Sequence, residues 1–217
     1  MRIAGVVELN VDEAAQLPGH PRALVLLGST AGVFWEAFET WAAVPRATAS
    51  AHPLDCFTRE LVAPLADTLG ARAVYPSDGP PFWPFQSWAA RAERVFTSPL
   101  RILMHPQLGL WHAYRAALLF DCVDGLPGSR AAPSVGSPCL QCTDQPCLTA
   151  CPVDAYGNDG YDVQACVAYL SDCAACRTYG CGARRACPVG AGYQYSRTQQ
   201  QFHLRAFLHA CGSGASC

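Results

Sequence analysis

Nine of the thirteen cysteines in this 217-residue chain lie between Cys139 and Cys187, and two of them are followed directly by proline. The first group reads Cys139-Leu-Gln-Cys142-Thr-Asp-Gln-Pro-Cys147-Leu-Thr-Ala-Cys151-Pro152. This spacing is close to the Cys-x2-Cys-x2-Cys-x3-Cys-Pro run whose thiolates hold a [4Fe–4S] cluster. Because such a cluster carries electrons, the segment indicates electron transfer.

A second group follows and reads Cys166-(x6)-Cys173-Ala-Ala-Cys176-Arg-Thr-Tyr-Gly-Cys181-Gly-Ala-Arg-Arg-Ala-Cys187-Pro188. Two cubane clusters need about eight thiolates, and in two-cluster folds the cysteine before proline ligates the other cluster. We therefore predict two ligand sets, one of Cys139, Cys142, Cys147 and Cys187, the other of Cys151, Cys166, Cys176 and Cys181. Sets that use the ninth thiol, Cys173, stay open as alternatives.

Zinc sites and redox disulfides are the other interpretations of so many cysteines. A zinc ribbon pairs two Cys-x2-Cys knuckles across a spacer, which leaves the further thiols and the two Cys-Pro steps unexplained. Disulfides are rare in the reducing interior of a cell. The sequence therefore favours clusters.

Composition and charge suggest which partners to expect. The chain is 51% hydrophobic and 15% charged, which favours a compact fold, and its formal net charge is −2. We expect no nucleic-acid partner and no membrane partner, since the sequence shows neither a basic excess nor an apolar run of membrane-spanning length. The N-terminus lacks a signal-peptide pattern, which predicts a cytoplasmic protein. All fifteen basic residues are arginine, which excludes a P-loop or Schiff-base lysine.

Outside the cysteine segment the sequence predicts an α+β fold. Apolar periodicity with Gly or Pro boundaries predicts helices over 33–44, 54–69 and 86–96, and strands over 23–28, 71–75, 100–104 and 111–120. A Gly/Pro/Ser-rich stretch at 126–138 predicts a linker between a domain at 1–125 and a cysteine module at 139–190. A short helix is expected over 163–170, and the tail at 191–217 is expected to hold an amphipathic helix over 195–210.

The cysteine module resembles the ferredoxin module of epoxyqueuosine reductases. The resemblance lies in Cys151-Pro, in Cys166-Val-Ala-Tyr-Leu and in the cysteine-rich run that ends in Cys187-Pro. It implies that Cys166 ligates the second cluster and that the module adjoins a cobalamin-binding domain.

A second segment resembles the His-Pro-x-(Phe/Leu)-Gly-x-Trp-x-x-x-Arg motif of the enzymes that strip upper ligands from vitamin B12. It reads His105-Pro106-Gln107-Leu108-Gly109-Leu110-Trp111-His112-Ala113-Tyr114-Arg115. Both families share a nitroreductase-like domain that holds the corrinoid, so the resemblance implies the same domain here. By this motif His105 would contact the corrin periphery, and Gly109, Trp111 and Arg115 fill its other positions.

These resemblances imply a corrinoid-binding iron–sulfur protein, expected to be an enzyme, in which two [4Fe–4S] clusters pass electrons to cobalt. The result would be cobalt(I) or the loss of an upper ligand. No side chain is assigned a catalytic acid–base role. The implied partners are cobalamin or another corrinoid, an external low-potential electron donor, and a corrinoid adenosyltransferase or another enzyme of the B12 pathway.

Other functions stay open beside this one. They are a ferredoxin-type carrier without corrinoid, a flavin-dependent reductase (nitroreductase-like domains also bind FMN), and a non-catalytic corrinoid carrier. Reduction of epoxyqueuosine in tRNA is less favoured, because the chain is shorter than those reductases and no segment matches their catalytic acid. The near-neutral net charge of the chain also disfavours an RNA substrate.

Overall fold

The computed structural model describes residues 1–44, 50–126, 136–157, 160–172 and 174–212. The chain divides into two compact units, Met1–Arg94 with His112–Ser134 and Val95–Trp111 with Val135–Cys217. The first unit holds most of the predicted N-terminal domain, but Val95–Trp111 belongs to the second unit, with the cysteines. Residues 127–135 of the predicted linker lie outside the described residues, and so does Cys173.

The described residues form helices and strands, so the mixed α and β composition is confirmed in that general form. The strands are β1 (Arg2–Glu8), β2 (Ala23–Thr30), β3 (Arg72–Val74), β4 (Phe96–Thr97), β5 (Leu103–Met104), β6 (His112–Phe120), β7 (Tyr156–Gly157) and β8 (Gly160–Tyr161). The α-helices are α1 (Val11–Ala15), α2 (Val33–Ala42), α3 (Pro53–Leu69), α4 (Phe85–Ala92), α5 (Pro146–Thr149), α6 (Val163–Asp172), α7 (Ala174–Tyr179), α8 (Gly182–Arg185) and α9 (Arg197–Gly212). The nitroreductase-like and ferredoxin-like identities of the two parts stay predictions.

A four-stranded antiparallel sheet in the order β1-β2-β6-β3 lies at the centre of the first unit. Strand β2 begins with an apolar run, Ala23–Leu27, in which every side chain is buried. Helix α3 packs Val62 and Ala66 into one cluster with Val25 and Leu27, and α4 packs against β1 and β2. Because successive side chains of a strand point to opposite faces, the burial of the whole run means that both faces of the sheet are covered.

Aromatic side chains join α2 to α3. The ring of Phe57 lies 5.5 Å from Phe34, 5.7 Å from Phe38 and 5.6 Å from Trp41, measured between ring centroids. The helical spacing of the α2 aromatics therefore reflects core packing in the first unit.

The second unit has short strands and a core built around cysteines. Strands β4 and β5 pair with each other, as do β7 and β8. Met104 and Leu110 lie in one apolar cluster with Cys147 and Cys187. That burial explains why Val95–Trp111 packs with the cysteines. Within the described ranges, no helix has both the length and the apolar character needed to cross a membrane.

Candidate iron–sulfur centres

One cavity of the second unit is lined by four cysteines, Cys139, Cys142, Cys147 and Cys187, which we call the first quartet. A 3-10 helix over Pro138–Gln141 carries Cys139 and ends at Cys142, and α5 carries Cys147. Apolar side chains of the 95–111 segment complete the wall, among them Leu100 and Met104. The cavity measures about 20 Å³.

A larger cavity, of about 310 Å³, is lined by Cys151, Cys166, Cys176 and Cys181, the second quartet. Helix α6 carries Cys166, α7 carries Cys176, and Cys181 is the residue that precedes α8. The rest of the wall is largely aromatic and aliphatic, including Tyr156, Tyr161 and Phe207.

The chain crosses between the two cavities at two places. Helix α5 carries Cys147 of the first quartet, and Cys151 of the second follows two residues after its end. Cys181 of the second quartet directly precedes α8, and Cys187 of the first follows two residues after the helix ends. Helices α5 and α8 pack against each other. The structure thus brings the eight cysteines together in the same two sets that the Cys-Pro rule groups, while iron ligation itself stays a prediction.

Burial changes the acidity of the quartet thiols. It raises the pKa of Cys139, Cys147, Cys166, Cys181 and Cys187. Backbone N–H groups act in the opposite direction: those of Ala183 and Arg184 lower the pKa of Cys181, and that of Val189 lowers the pKa of Cys187. The N–H of Ala155 also donates to Cys151 Sγ at 3.4 Å. A positive metal centre would stabilise thiolates at these five positions, and N–H donors around sulfur are a typical setting for such a centre.

The donor chemistry of both quartets fits a [4Fe–4S] cluster, which takes four thiolates in an apolar, hydrogen-bonded pocket. The second cavity is by far the larger as the side chains stand. Among the residues that the structure describes, no group of three or more His, Cys, Asp or Glu side chains is arranged to hold a single metal ion.

His105, predicted to contact a corrin, has a local role in a tight turn of the second unit. Its Nδ1 accepts the backbone N–H groups of Gln107, at 3.0 Å, and Leu108, at 3.1 Å. Its own backbone exchanges two hydrogen bonds of 2.9 Å with Gly109. The residue as a whole is half-buried, so it keeps some accessible surface.

Gly109 lies at a close contact between two backbone segments. Its φ is +59°, and a Cβ at this position would lie 1.9 Å from the carbonyl oxygen of Val189. Gly190 faces it with a φ of +72°, where a Cβ would lie 2.3 Å from the carbonyl of Leu108. Both positions demand glycine, and this packing leaves Gly109 no room for a ligand.

Trp111 is enclosed in the second unit, with 0% of its surface exposed. The Arg184 guanidinium lies over its ring at 4.5 Å and over the Tyr195 ring at 4.7 Å, and it also donates to the carbonyl oxygen of Leu110. Trp111 is therefore a core residue that holds Arg184, an arrangement that the sequence motif does not reveal.

Arg115 lies on β6 of the first unit, so the predicted corrinoid motif divides between the two units. Its Nε donates to Ser29 Oγ at 3.1 Å, and its guanidinium lies 5.6 Å from the Phe34 ring centroid. It is half-buried and keeps some accessible surface.

A scan against protein-family models and a search of curated proteins both find no match. The fold resembles solved structures of epoxyqueuosine reductase. One, determined with a tyrosine tRNA stem loop modified by epoxyqueuosine, has a TM-score of 0.51 at 18% identity, over 87% of this chain and 54% of that chain. The Bacillus subtilis enzyme with its catalytic loop swung out of the active site gives 0.48 at 18% identity, over 89% and 56%. A selenomethionine-labelled form gives 0.46 at 16% identity, over 87% and 54%.

At 18% identity the first of these similarities shows a shared fold, and this chain spans about half the length of that structure. The prediction that nucleic acid is excluded as a partner is wrong, because a protein of this fold was solved with an RNA stem loop. That prediction used a net charge of −2. The total charge of a chain does not report where its arginines lie on the surface.

Proposed function

We propose that this protein is an iron–sulfur reductase that carries two [4Fe–4S] clusters, one in each cysteine quartet. The observation that carries the proposal is the pair of cavities, each lined by four cysteines drawn from separate parts of the chain. Bound clusters would supply one-electron transfer, which no side chain of this protein supplies at biological potentials.

The chain's own residues hold the iron and set its surroundings. Apolar side chains such as Leu100, which lines both cavities, keep water away from the thiols. Backbone N–H groups around Cys151, Cys181 and Cys187 stabilise negative charge on sulfur. The packing of α5 on α8 joins the two quartets through a few residues of protein, which suits electron passage from one to the other.

We further propose a corrinoid as the electron acceptor, with cobalt reduced to cobalt(I) or relieved of its upper ligand. Support comes from the sequence resemblances and from the shared fold. Of the four motif residues, His105 and Arg115 retain accessible surface, whereas Gly109 and Trp111 are enclosed. His105 of the second unit and Arg115 of the first therefore stay as two separate candidates for corrin contact.

Reduction of a modified nucleoside in tRNA is the second candidate. The observation that favours it is the structure of similar fold determined with an epoxyqueuosine-modified tRNA stem loop. A corrinoid and an RNA stem loop would each take electrons from the same clusters. One preparation of reduced protein can therefore test both acceptors.

Iron content tests the two-cluster proposal. The protein, purified without oxygen, should hold about eight irons and as many sulfides per chain. Cys142→Ala and Cys176→Ala should each lose about half of that iron, because each removes one thiol from a different quartet. Cys122→Ala, at an exposed cysteine outside both quartets, should keep all of it. Full iron content in both quartet variants would overturn the ligand assignment, and zinc in place of iron would overturn the function.

The acceptor is identified by reoxidation. Dithionite-reduced protein is mixed with cob(II)alamin, cobinamide, FMN or an epoxyqueuosine-modified stem loop, and loss of the reduced-cluster signal is followed. Rapid reoxidation with appearance of cobalt(I) supports the corrinoid proposal, and reoxidation by the stem loop alone supports the second candidate. His105→Asn is the informative variant, because an Asn oxygen can accept the N–H groups of Gln107 and Leu108 in place of Nδ1. It should weaken corrinoid binding while iron content stays unchanged.

A further inference from the structure

The walls of the two cysteine cavities differ in charge. The second cavity is lined by Arg101, Arg184 and His203 as well as by its quartet, and none of its described lining residues is Asp or Glu. Around the first cavity, no described lining residue is Arg, His, Asp or Glu. Because both quartets offer four thiols, the two sites differ in the charge that surrounds the cysteines and not in the number of ligands.

Arg184 is the half-buried arginine of the second cavity, whereas Arg101 is exposed. The Arg184 guanidinium lies over the rings of Trp111 and Tyr195, both of which are buried. It also donates to the carbonyl oxygen of Leu110. These three contacts hold the positive charge at one place in the second unit.

The Arg184 charge has no carboxylate partner in the part of the chain that the structure describes. Four arginines of the first unit, Arg2, Arg59, Arg72 and Arg91, form ion pairs with carboxylates, and Arg184 forms none with a described residue. Its Nε is buried and donates to no described acceptor. A charge taken out of water without a partner costs free energy, so this guanidinium favours an anion in the cavity that it lines.

We propose that Arg184 is the counter-charge of the second quartet, and that it makes a cluster held there easier to reduce than one held in the first quartet. The inference rests on the proposed function, because it needs iron in both quartets. A cluster gains negative charge when it takes up an electron, so a fixed cation stabilises its reduced form more than its oxidised form. One electron would then leave the first cluster, which is oxidised, and enter the second, which is reduced, without transfer of a proton.

Reduction potentials test the inference. Iron and sulfide are counted first, and both clusters are then titrated with dithionite under electron paramagnetic resonance. In Arg184→Gln the step at higher potential should move to lower potential, because the variant removes the charge, and the other step should move less. The shift should be on the order of a tenfold change in the ratio of reduced to oxidised cluster, which is about 59 mV for a one-electron couple.

Two further variants separate the charge from the packing. Arg184→Lys keeps the charge and loses the planar stack, so the higher step should stay near its wild-type potential. Arg185→Gln removes a charge from the exposed neighbour on the same helix, which lines neither cavity. It should move neither step by a comparable amount.

Single-cluster variants assign the two steps to the quartets. Cys142→Ala should keep the cluster of the second quartet, and Cys176→Ala that of the first. The remaining step of Cys142→Ala should therefore lie at the higher potential. The opposite order would overturn the inference, although both quartets hold iron.

Citrulline at position 184 keeps the inference testable if Arg184→Gln loads iron poorly. It retains the planar side chain and an N–H donor toward Leu110 but carries no charge, so the higher step should again move to lower potential. An unmoved step in loaded protein, or an equal move of both steps, would overturn the inference and leave the proposed function intact. Wild-type protein without clusters would overturn the proposed function instead.

Discussion

The guanidinium of Arg184 lies 4.5 Å from the centre of the fully buried Trp111 ring. Trp111 ends the segment that precedes β6, whereas Arg184 lies on α8 between Cys181 of the second quartet and Cys187 of the first. The contact therefore connects the segment Val95–Trp111 to the stretch of chain that carries one cysteine of each quartet, Cys181 and Cys187. Tyr195 covers the same guanidinium from 4.7 Å, so a cation is fixed beside the cysteines.

Arg184→Gln should destabilise the protein by about 2 kcal/mol, from two cation–π contacts and one charged hydrogen bond. Arg184→Lys should lose less, since it keeps the charge but not the planar stack. Urea unfolding of the cluster-loaded protein measures both. Arg185→Gln is the control, because Arg185 is the exposed neighbour on the same helix, and it should change stability by no more than about 0.5 kcal/mol. Equal losses at positions 184 and 185 would show that the stack contributes nothing.

Gly109→Ala should disrupt the contact between the His105 turn and Val189. The new methyl group would lie 1.9 Å from a backbone oxygen, at a φ of +59° that alanine disfavours. We expect a loss of more than about 2 kcal/mol in unfolding free energy, and loss of iron from the first quartet, since Cys187 lies two residues before Val189. Gly192→Ala is the matched control because nothing lies within 4 Å of a Cβ there. Wild-type stability in Gly109→Ala would mean that the two segments separate at little cost.

Cys176 and Cys173 offer a test of the second ligand set, since they lie three residues apart. Cys176 lines the second cavity, whereas Cys173 lies outside the described residues. Cys176→Ala should lose about four irons, one cubane's worth, and Cys173→Ala none. Iron and sulfide analysis, together with Mössbauer spectroscopy, measures how much cluster each variant retains. The reverse pattern would move the fourth ligand to Cys173.

The cysteine grouping could be predicted from the sequence because it follows a local rule, the Cys-Pro crossover, together with short spacings. The helix at 54–69 could also be predicted, because its apolar residues recur with helical periodicity. It corresponds to α3 at Pro53–Leu69. Strand 100–104 was overestimated: only Leu103–Met104 pairs, with Phe96–Thr97, and Arg101 has a positive φ of 60°. The predicted helix at 86–96 ends at Ala92 for a related reason, because Phe96 pairs in β4.

The roles of Gly109 and Trp111 could not be read from the sequence, because both depend on residues about eighty positions away. Val189 excludes a side chain at Gly109, and Arg184 occupies the face of Trp111. The segment that resembles the corrinoid-enzyme motif therefore includes two positions that packing explains here. The pairing of Tyr156 with Tyr161 across β7 and β8 also escaped prediction, since its only sequence signal is two tyrosines flanking a short turn.

Tyr114 should make the stability of the first unit depend on alkaline pH. Its hydroxyl donates to Glu93 at 2.7 Å, and Glu93 also pairs with Arg2. Burial raises the pKa of this phenol far above its usual value, and the negative charge of Glu93 adds to the rise. A folded-state pKa above the unfolded value of about 10 means that, at high pH, the unfolded chain ionises while the folded protein does not.

Stabilisation by the protonated phenol is therefore complete below about pH 10 and declines as the pH rises beyond it. Tyr114→Phe should cost about 1–2 kcal/mol near neutral pH, since Glu93 keeps its bond to Arg2. The gap between wild type and variant should narrow between about pH 9 and pH 11. Urea midpoints followed by circular dichroism across that range measure it, with the exposed Tyr179→Phe as the control. A gap that stays constant with pH would mean that Tyr114 ionises as readily in the folded protein as in the unfolded chain.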